Sequence, residues 1–194
     1  MTGGEKLSLP LRTLNFSPDG KLIYFTQTDV DAVQALDPAT QKVVGQIPVG
    51  ASPHLVLFTD DGEYALAVSQ KSGELAILNR ETNKVEATVA VGKNPHWVAL
   101  TPDDRLAYVT NEASNDVSVV DIEAKKVLTT IAAGQAPRGQ RIIRQPACGK
   151  QDDGNVRGYT KPVIATRFRR HYVVPPTAAW IASASRCRRR PVGK

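Results

Sequence analysis

Two histidines, His54 and His96, stand 42 residues apart, each directly after a Gly-x-x-Pro stretch, Gly50 to Pro53 and Gly92 to Pro95. Arg138 follows a third such stretch, Gly134 to Pro137, at the same spacing. Imidazoles held side by side can ligate a metal or bind a polar group, and a guanidinium beside them favours an anion. The plainer reading is that each histidine caps the entrance to a strand and hydrogen-bonds its neighbour. Gln27, Ser69 and Asn111 recur at the same interval, and polar residues at strand ends first satisfy backbone groups, ligand contact being the alternative. Asp19, Asp61 and Asp103 recur as turn formers, and no run of carboxylates has the spacing that gathers the ~6–8 oxygens calcium takes.

Other chemistries find little footing. The chain has no Gly-x-Ser-x-Gly elbow, no phosphate-cradling Gly-rich loop, no His-Glu-x-x-His and no Cys-x-x-Cys. No catalytic residue, metal centre or cofactor is therefore expected. Cys148 and Cys187, the two cysteines, and His171 stand outside the recurring frame.

That frame is an internal repeat. Ser17-Pro18-Asp19-Gly20, Thr59-Asp60-Asp61-Gly62 and Thr101-Pro102-Asp103-Asp104 superimpose without a gap at an offset of 42, as do Lys42-Val43, Lys84-Val85 and Lys126-Val127. Within a unit the hydrophobic period is that of a strand. The third unit reads Trp97 to Leu100, Leu106 to Thr110, Val117 to Val120 and Val127 to Ile131 as four strands with turn residues between them. Asp104 stands where the other units have the glycine that accepts a left-handed turn, a conformation aspartate tolerates less well. Trp97 and Tyr108 are expected in the core or between units.

Four short antiparallel strands per unit match the blade of a β-propeller. The fold class expected is all-β: a partial propeller with blades at about 11–50, 53–92 and 95–134, after a flank at 1–10. Ala107-Tyr108-Val109-Thr110-Asn111, preceded by Pro95-His96-Trp97-Val98-Ala99-Leu100-Thr101-Pro102-Asp103, resembles the family named for its Tyr-Val-Thr-Asn repeat. Units one and two keep the frame but read Tyr24-Phe25-Thr26-Gln27 and Leu66-Ala67-Val68-Ser69 at the signature. The resemblance covers residues 11–140. It implies a propeller common in periplasmic, secreted or cell-surface proteins, and no single function. In such a ring His54, His96 and Arg138 lie near one mouth of the central channel, where a small molecule or a protein partner binds.

Charge divides the chain. Residues 1–140 carry 12 Lys+Arg against 17 Asp+Glu, a net of −5, and residues 141–194 carry 13 against 2, a net of +11. The formal net charge of +6 is thus no evidence of a basic nucleic-acid-binding domain. After Arg138 the expected strand and Pro-Asp-Gly turn do not arrive, and arginine replaces lysine as the main cation. This resembles translation in a shifted reading frame. A natural disordered extension and a nucleic-acid-binding arm built on Arg167-Phe168-Arg169-Arg170-His171-Tyr172 and Arg186 to Arg190 are the alternatives.

No apolar run reaches the ~18 residues of a membrane span, and the first residues have neither the basic nor the apolar region of a signal peptide. Three blades fall short of the ~4–8 of a closed ring. Open blade faces are then expected to drive self-association, two copies completing a six-blade ring being one form of it. The function expected is a non-catalytic binding or interaction module. A fragment of a propeller enzyme, of the lactone-hydrolysing or quinoprotein and haem redox kind, is the alternative.

Overall fold

A computed structural model of the protein describes residues 10–27, 29–143, 163–168 and 171–173. Among them there is no helix. Three four-stranded antiparallel sheets follow one another, each in sequential strand order. The first holds β1 (Leu11–Phe16), β2 (Ile23–Gln27), β3 (Ala32–Asp37) and β4 (Lys42–Pro48), and the second β5 (Pro53–Phe58), β6 (Tyr64–Ser69), β7 (Glu74–Asn79) and β8 (Lys84–Ala90). The third holds β9 (Pro95–Leu100), β10 (Leu106–Asn111), β11 (Asp116–Asp121) and β12 (Lys126–Ala132). Strand boundaries thus repeat at the 42-residue offset of the sequence, as blades should.

Each first turn is built in one way. Ser17, Thr59 and Thr101 donate a hydroxyl hydrogen bond to Asp19, Asp61 and Asp103 at 2.6, 2.6 and 2.5 Å. The same hydroxyls accept the backbone N–H of Leu22, Tyr64 and Leu106 at 3.0 Å. The fourth residue takes a left-handed φ in all three: +69° at Gly20, +72° at Gly62 and 53° at Asp104. Asp104 offsets its unfavourable φ by reaching the neighbouring blade, where its carboxylate accepts the N–H of Asp60 at 2.6 Å and of Asp61 at 3.3 Å.

Blades pack face to face through apolar residues of the alternating pattern. Between the first and second blades Tyr24, Val33, Ala35 and Ile47 meet Val56, Phe58, Ala65 and Ala67, with Tyr24 edge-on to Phe58 at 5.0 Å. Between the second and third, Leu55, Leu66, Val68 and Leu75 meet Val98, Ala107, Val109 and Val120. Arg80 of the second blade pairs with Asp19 of the first at 3.1 Å, and Tyr24 donates to Asn83 at 2.7 Å.

The outer faces differ from the inner ones. Leu14 and Phe16 are 49% and 58% exposed, while their register equivalents Val56 and Phe58 are 0% and 8% exposed beneath the first blade. The leading face of the first blade is therefore the open face expected of a fan. The tryptophan expectation needs correction: Trp97 is 38% exposed. It is the register equivalent of Leu55, which packs toward the following blade, so Trp97 points to where a fourth blade would stand.

At that place the backbone departs from the sequence expectation. A strand does follow Arg138: β13 (Gly139–Ile143), which contacts β9 and occupies the register position of the next inner strand. It pairs with β14 (Val163–Phe168), which pairs with β15 (His171–Val173), giving a three-stranded antiparallel sheet. The partner strand comes from the β-branched run Val163-Ile164-Ala165-Thr166 instead of the repeat's own second strand. Cys148, Cys187 and the arginine run Arg186 to Arg190, with the remainder of 141–194 and the flank 1–9, lie outside the described residues.

Candidate functional site

The Gly-x-x-Pro crossovers set the site. Each carries the chain from the outer strand of one blade to the inner strand of the next, and the residue before proline takes a left-handed φ, 60° at Ser52, 53° at Asn94 and 51° at Ala136. Two backbone bonds clip each of the first two crossovers to the end of the following blade's second strand: Gln70 N–H to Ser52 O at 2.9 Å and Lys71 N–H to Ala51 O at 3.1 Å in one, Glu112 N–H to Asn94 O and Ala113 N–H to Lys93 O, both at 3.0 Å, in the other. Gln70 and Glu112 are thereby fixed beside the histidines. The glycines opening the crossovers are needed for close approach. A Cβ on Gly92 would stand 2.5 Å from Asn111 Cγ, and one on Gly50 would stand 2.9 Å from Ser69 Cβ.

His54 and His96 are the second residues of β5 and β9, and the structure brings their rings together with centroids 4.2 Å apart and planes tilted by 52°. The backbone of His54 is held from the first blade, its carbonyl accepting the hydroxyls of Thr13 at 3.1 Å and Thr26 at 3.2 Å. Arg138 lies just before β13 and forms an ion pair with Glu112, Nε to Oε1 at 2.7 Å. The other oxygen of Glu112 accepts Asn94 Nδ2 at 3.1 Å.

Sequence reasoning missed Arg12. It lies 42 residues before His54, so Arg12, His54, His96 and Arg138 form one register row across successive inner strands. Arg12 donates to His54 Nδ1 at 3.3 Å and reaches Gln70 Oε1 at 3.5 Å. Gln70 and Glu112 were equally detectable, being equivalents of one another at the same offset.

Electrostatics at this rim keeps the imidazoles neutral. Burial, the adjacent His96 and the Arg12 guanidinium lower His54 to about 4, against a smaller opposing pull from Glu112. His96 is also lowered, by burial first. Its Nδ1 is buried with no hydrogen-bond partner among the described residues.

Gln27, Ser69 and Asn111 end β2, β6 and β10 and are buried, one layer behind the histidines. Asn111 Nδ2 donates to Asp116 at 2.6 Å and to Ser118 at 2.9 Å, which ties the second strand to the third. Asn111 thus bonds side chains and not the backbone groups expected of a strand end, and the buried Ser69 hydroxyl has no hydrogen-bond partner among the described residues. Among the described residues no three His, Cys, Asp or Glu side chains gather as for a metal ion. No described helix is long and apolar enough to cross a membrane.

No protein-family model matches the chain, and no curated protein does. Solved structures do. Hydrazine synthase of Kuenenia stuttgartiensis is similar with a TM-score of 0.65 and 20% identity, over 85% of this chain and 48% of that one. A functionally unknown protein from Desulfotomaculum acetoxidans DSM 771 is similar with a TM-score of 0.61 and 13% identity, over 72% of this chain and 47% of that one. The WD40 repeats of RRP9 are similar with a TM-score of 0.60 and 17% identity, over 68% of this chain and 41% of that one. The chain spans about half the length or less of these structures. At such identities the likeness is one of fold, and it shows an all-β chain of propeller blades.

Proposed function

We propose that the protein is a non-catalytic binding module of the Tyr-Val-Thr-Asn repeat type, working in the periplasm or at the cell surface. Its ligand, a small polar molecule or a protein segment, sits at the channel-mouth rim formed by Arg12, His54, His96 and Arg138. The observation that carries this reading is the convergence of one register row on one rim, with the two imidazoles in contact. The state of Glu112 favours binding over turnover, since both its oxygens are engaged and it is not free to shuttle a proton.

The test is a nuclear magnetic resonance screen of the imidazole signals of His54 and His96 against small polar molecules and peptides. The expected outcome is a compound that shifts both histidines and is recovered unchanged. Turnover of a lactone or redox substrate by the pure chain, abolished by His54→Asn, would replace this reading with the enzyme alternative.

A further inference from the structure

We propose that the cluster of Arg12, His54 and His96 is an oxyanion site, taking a carboxylate or sulfate-like group in place of the Arg12–His54 contact, and that occupying it places one proton on His54. The proposal rests on the binding-module reading above and gives its ligand a chemical class.

Hydrogen-bond geometry supplies the argument. Arginine has donors only, so its 3.3 Å contact with His54 Nδ1 makes that nitrogen an acceptor and puts the ring's single proton on Nε2. A proton added at Nδ1 would set two donors against each other. An acceptor lying between them satisfies both, one oxygen taking the Arg12 N–H and a second the new Nδ1–H.

Charge points the same way. Arg138 has its carboxylate in Glu112, at the end of the blade before it, whereas Arg12 meets Gln70, at the end of the blade after it, whose neutral oxygen is 3.5 Å away. Arg12 has no carboxylate partner among the described residues.

Three charged or titratable groups act on His54, Arg12 on β1, His96 on β9 and Glu112 after β10, while Arg138 acts on His96. Without an anion, burial, His96 and Arg12 outweigh Glu112, and the ring stays neutral. An anion in contact with the ring reverses that balance. Affinity then rises as pH falls, until His54 takes up a proton without the anion.

Calorimetric titration of the full chain with sulfate, and separately with malonate, tests this at low ionic strength. Sulfate keeps a constant charge over the range used, so the pH dependence belongs to the protein. The expected result is affinity that rises as pH falls from about 7.5 to 5.5, the slope steepening toward about tenfold per pH unit and proton uptake toward one per anion at the acid end, in buffers of different ionisation enthalpy. Arg12→Gln, at an exposed position, should weaken binding by about tenfold or more. His54→Asn should leave the circular dichroism spectrum intact and flatten the pH profile. Binding of both anions without a pH slope would overturn the proposal. So would failure of both to bind while a neutral ligand shifts the imidazoles, a result that leaves the binding-module reading standing. If nothing shifts the imidazoles, both fall.

Discussion

Acidification from neutral pH should destabilise the protein through its histidine pair before any carboxylate titrates. His54 falls from an ordinary 6.5 to about 4 in the folded chain. Because the folded value is depressed, the unfolded chain takes up its proton first as pH drops. Stability is therefore complete above about pH 6.5 and is lost progressively down to about pH 4, below which both states are protonated. At ~1.4 kcal/mol per unit the shift sets an upper bound of about 3.5 kcal/mol. The ring is only half-buried beside an exposed guanidinium, and solvent screening reduces the contribution to about 1–2 kcal/mol. His96 is lowered as well and adds in the same direction. Asp37, Asp61 and Asp103 are also lowered, through hydrogen bonds in their turns, but they act below the histidine window. Asp104, raised by burial, works in the opposite sense near its lower edge. Urea denaturation followed by circular dichroism at half-unit steps from pH 7 to 4.5 reads the effect. The double variant His54→Asn/His96→Asn should lose the slope. Equal slopes in parent and variant would refute the placement of the imidazoles in a desolvated, cationic rim.

Other outcomes follow from packing. Gly92→Ala should destabilise by about 2–4 kcal/mol in the same denaturation assay, because its methyl group must displace the buried, bonded Asn111. Gly20→Ala should cost about 1 kcal/mol, since its Cβ has open space and only φ opposes it. Leu66→Ala, a fully buried change between the second and third blades, should cost about 2–5 kcal/mol. Leu14→Ser with Phe16→Ser should cost under about 1 kcal/mol and lower concentration-dependent association in sedimentation velocity, as both face solvent on the open blade.

The blades were legible because a 42-residue offset preserves turn residues and strand period together, and those alone dictate a four-stranded antiparallel unit. Register also located the histidines, since residues at one blade position in a ring must lie at one rim. It did not disclose Arg12, whose strand lacks a preceding Gly-x-x-Pro stretch to draw notice, although the offset from His54 is the same. Nor could it rank the arginines. Arg12 and Arg138 look alike in sequence, and only the side-chain paths show that Glu112 neutralises one while Gln70 leaves the other charged. Asp104 reads as a poor turn residue until its contact across the blade boundary is seen. The strand β13 was hidden because its partner is Val163–Phe168, outside the repeat and supplied by no periodic signal.

The imidazole nitrogen shifts of His54, followed by nuclear magnetic resonance from about pH 7.5 to 4 in the parent and in Arg12→Gln, test the rim most directly. The expected ring is Nε2-protonated, stays neutral below pH 6, titrates well below the ordinary 6.5, and moves upward when Arg12 is removed. Titration of His54 near 6.5, unmoved by that substitution, would contradict it.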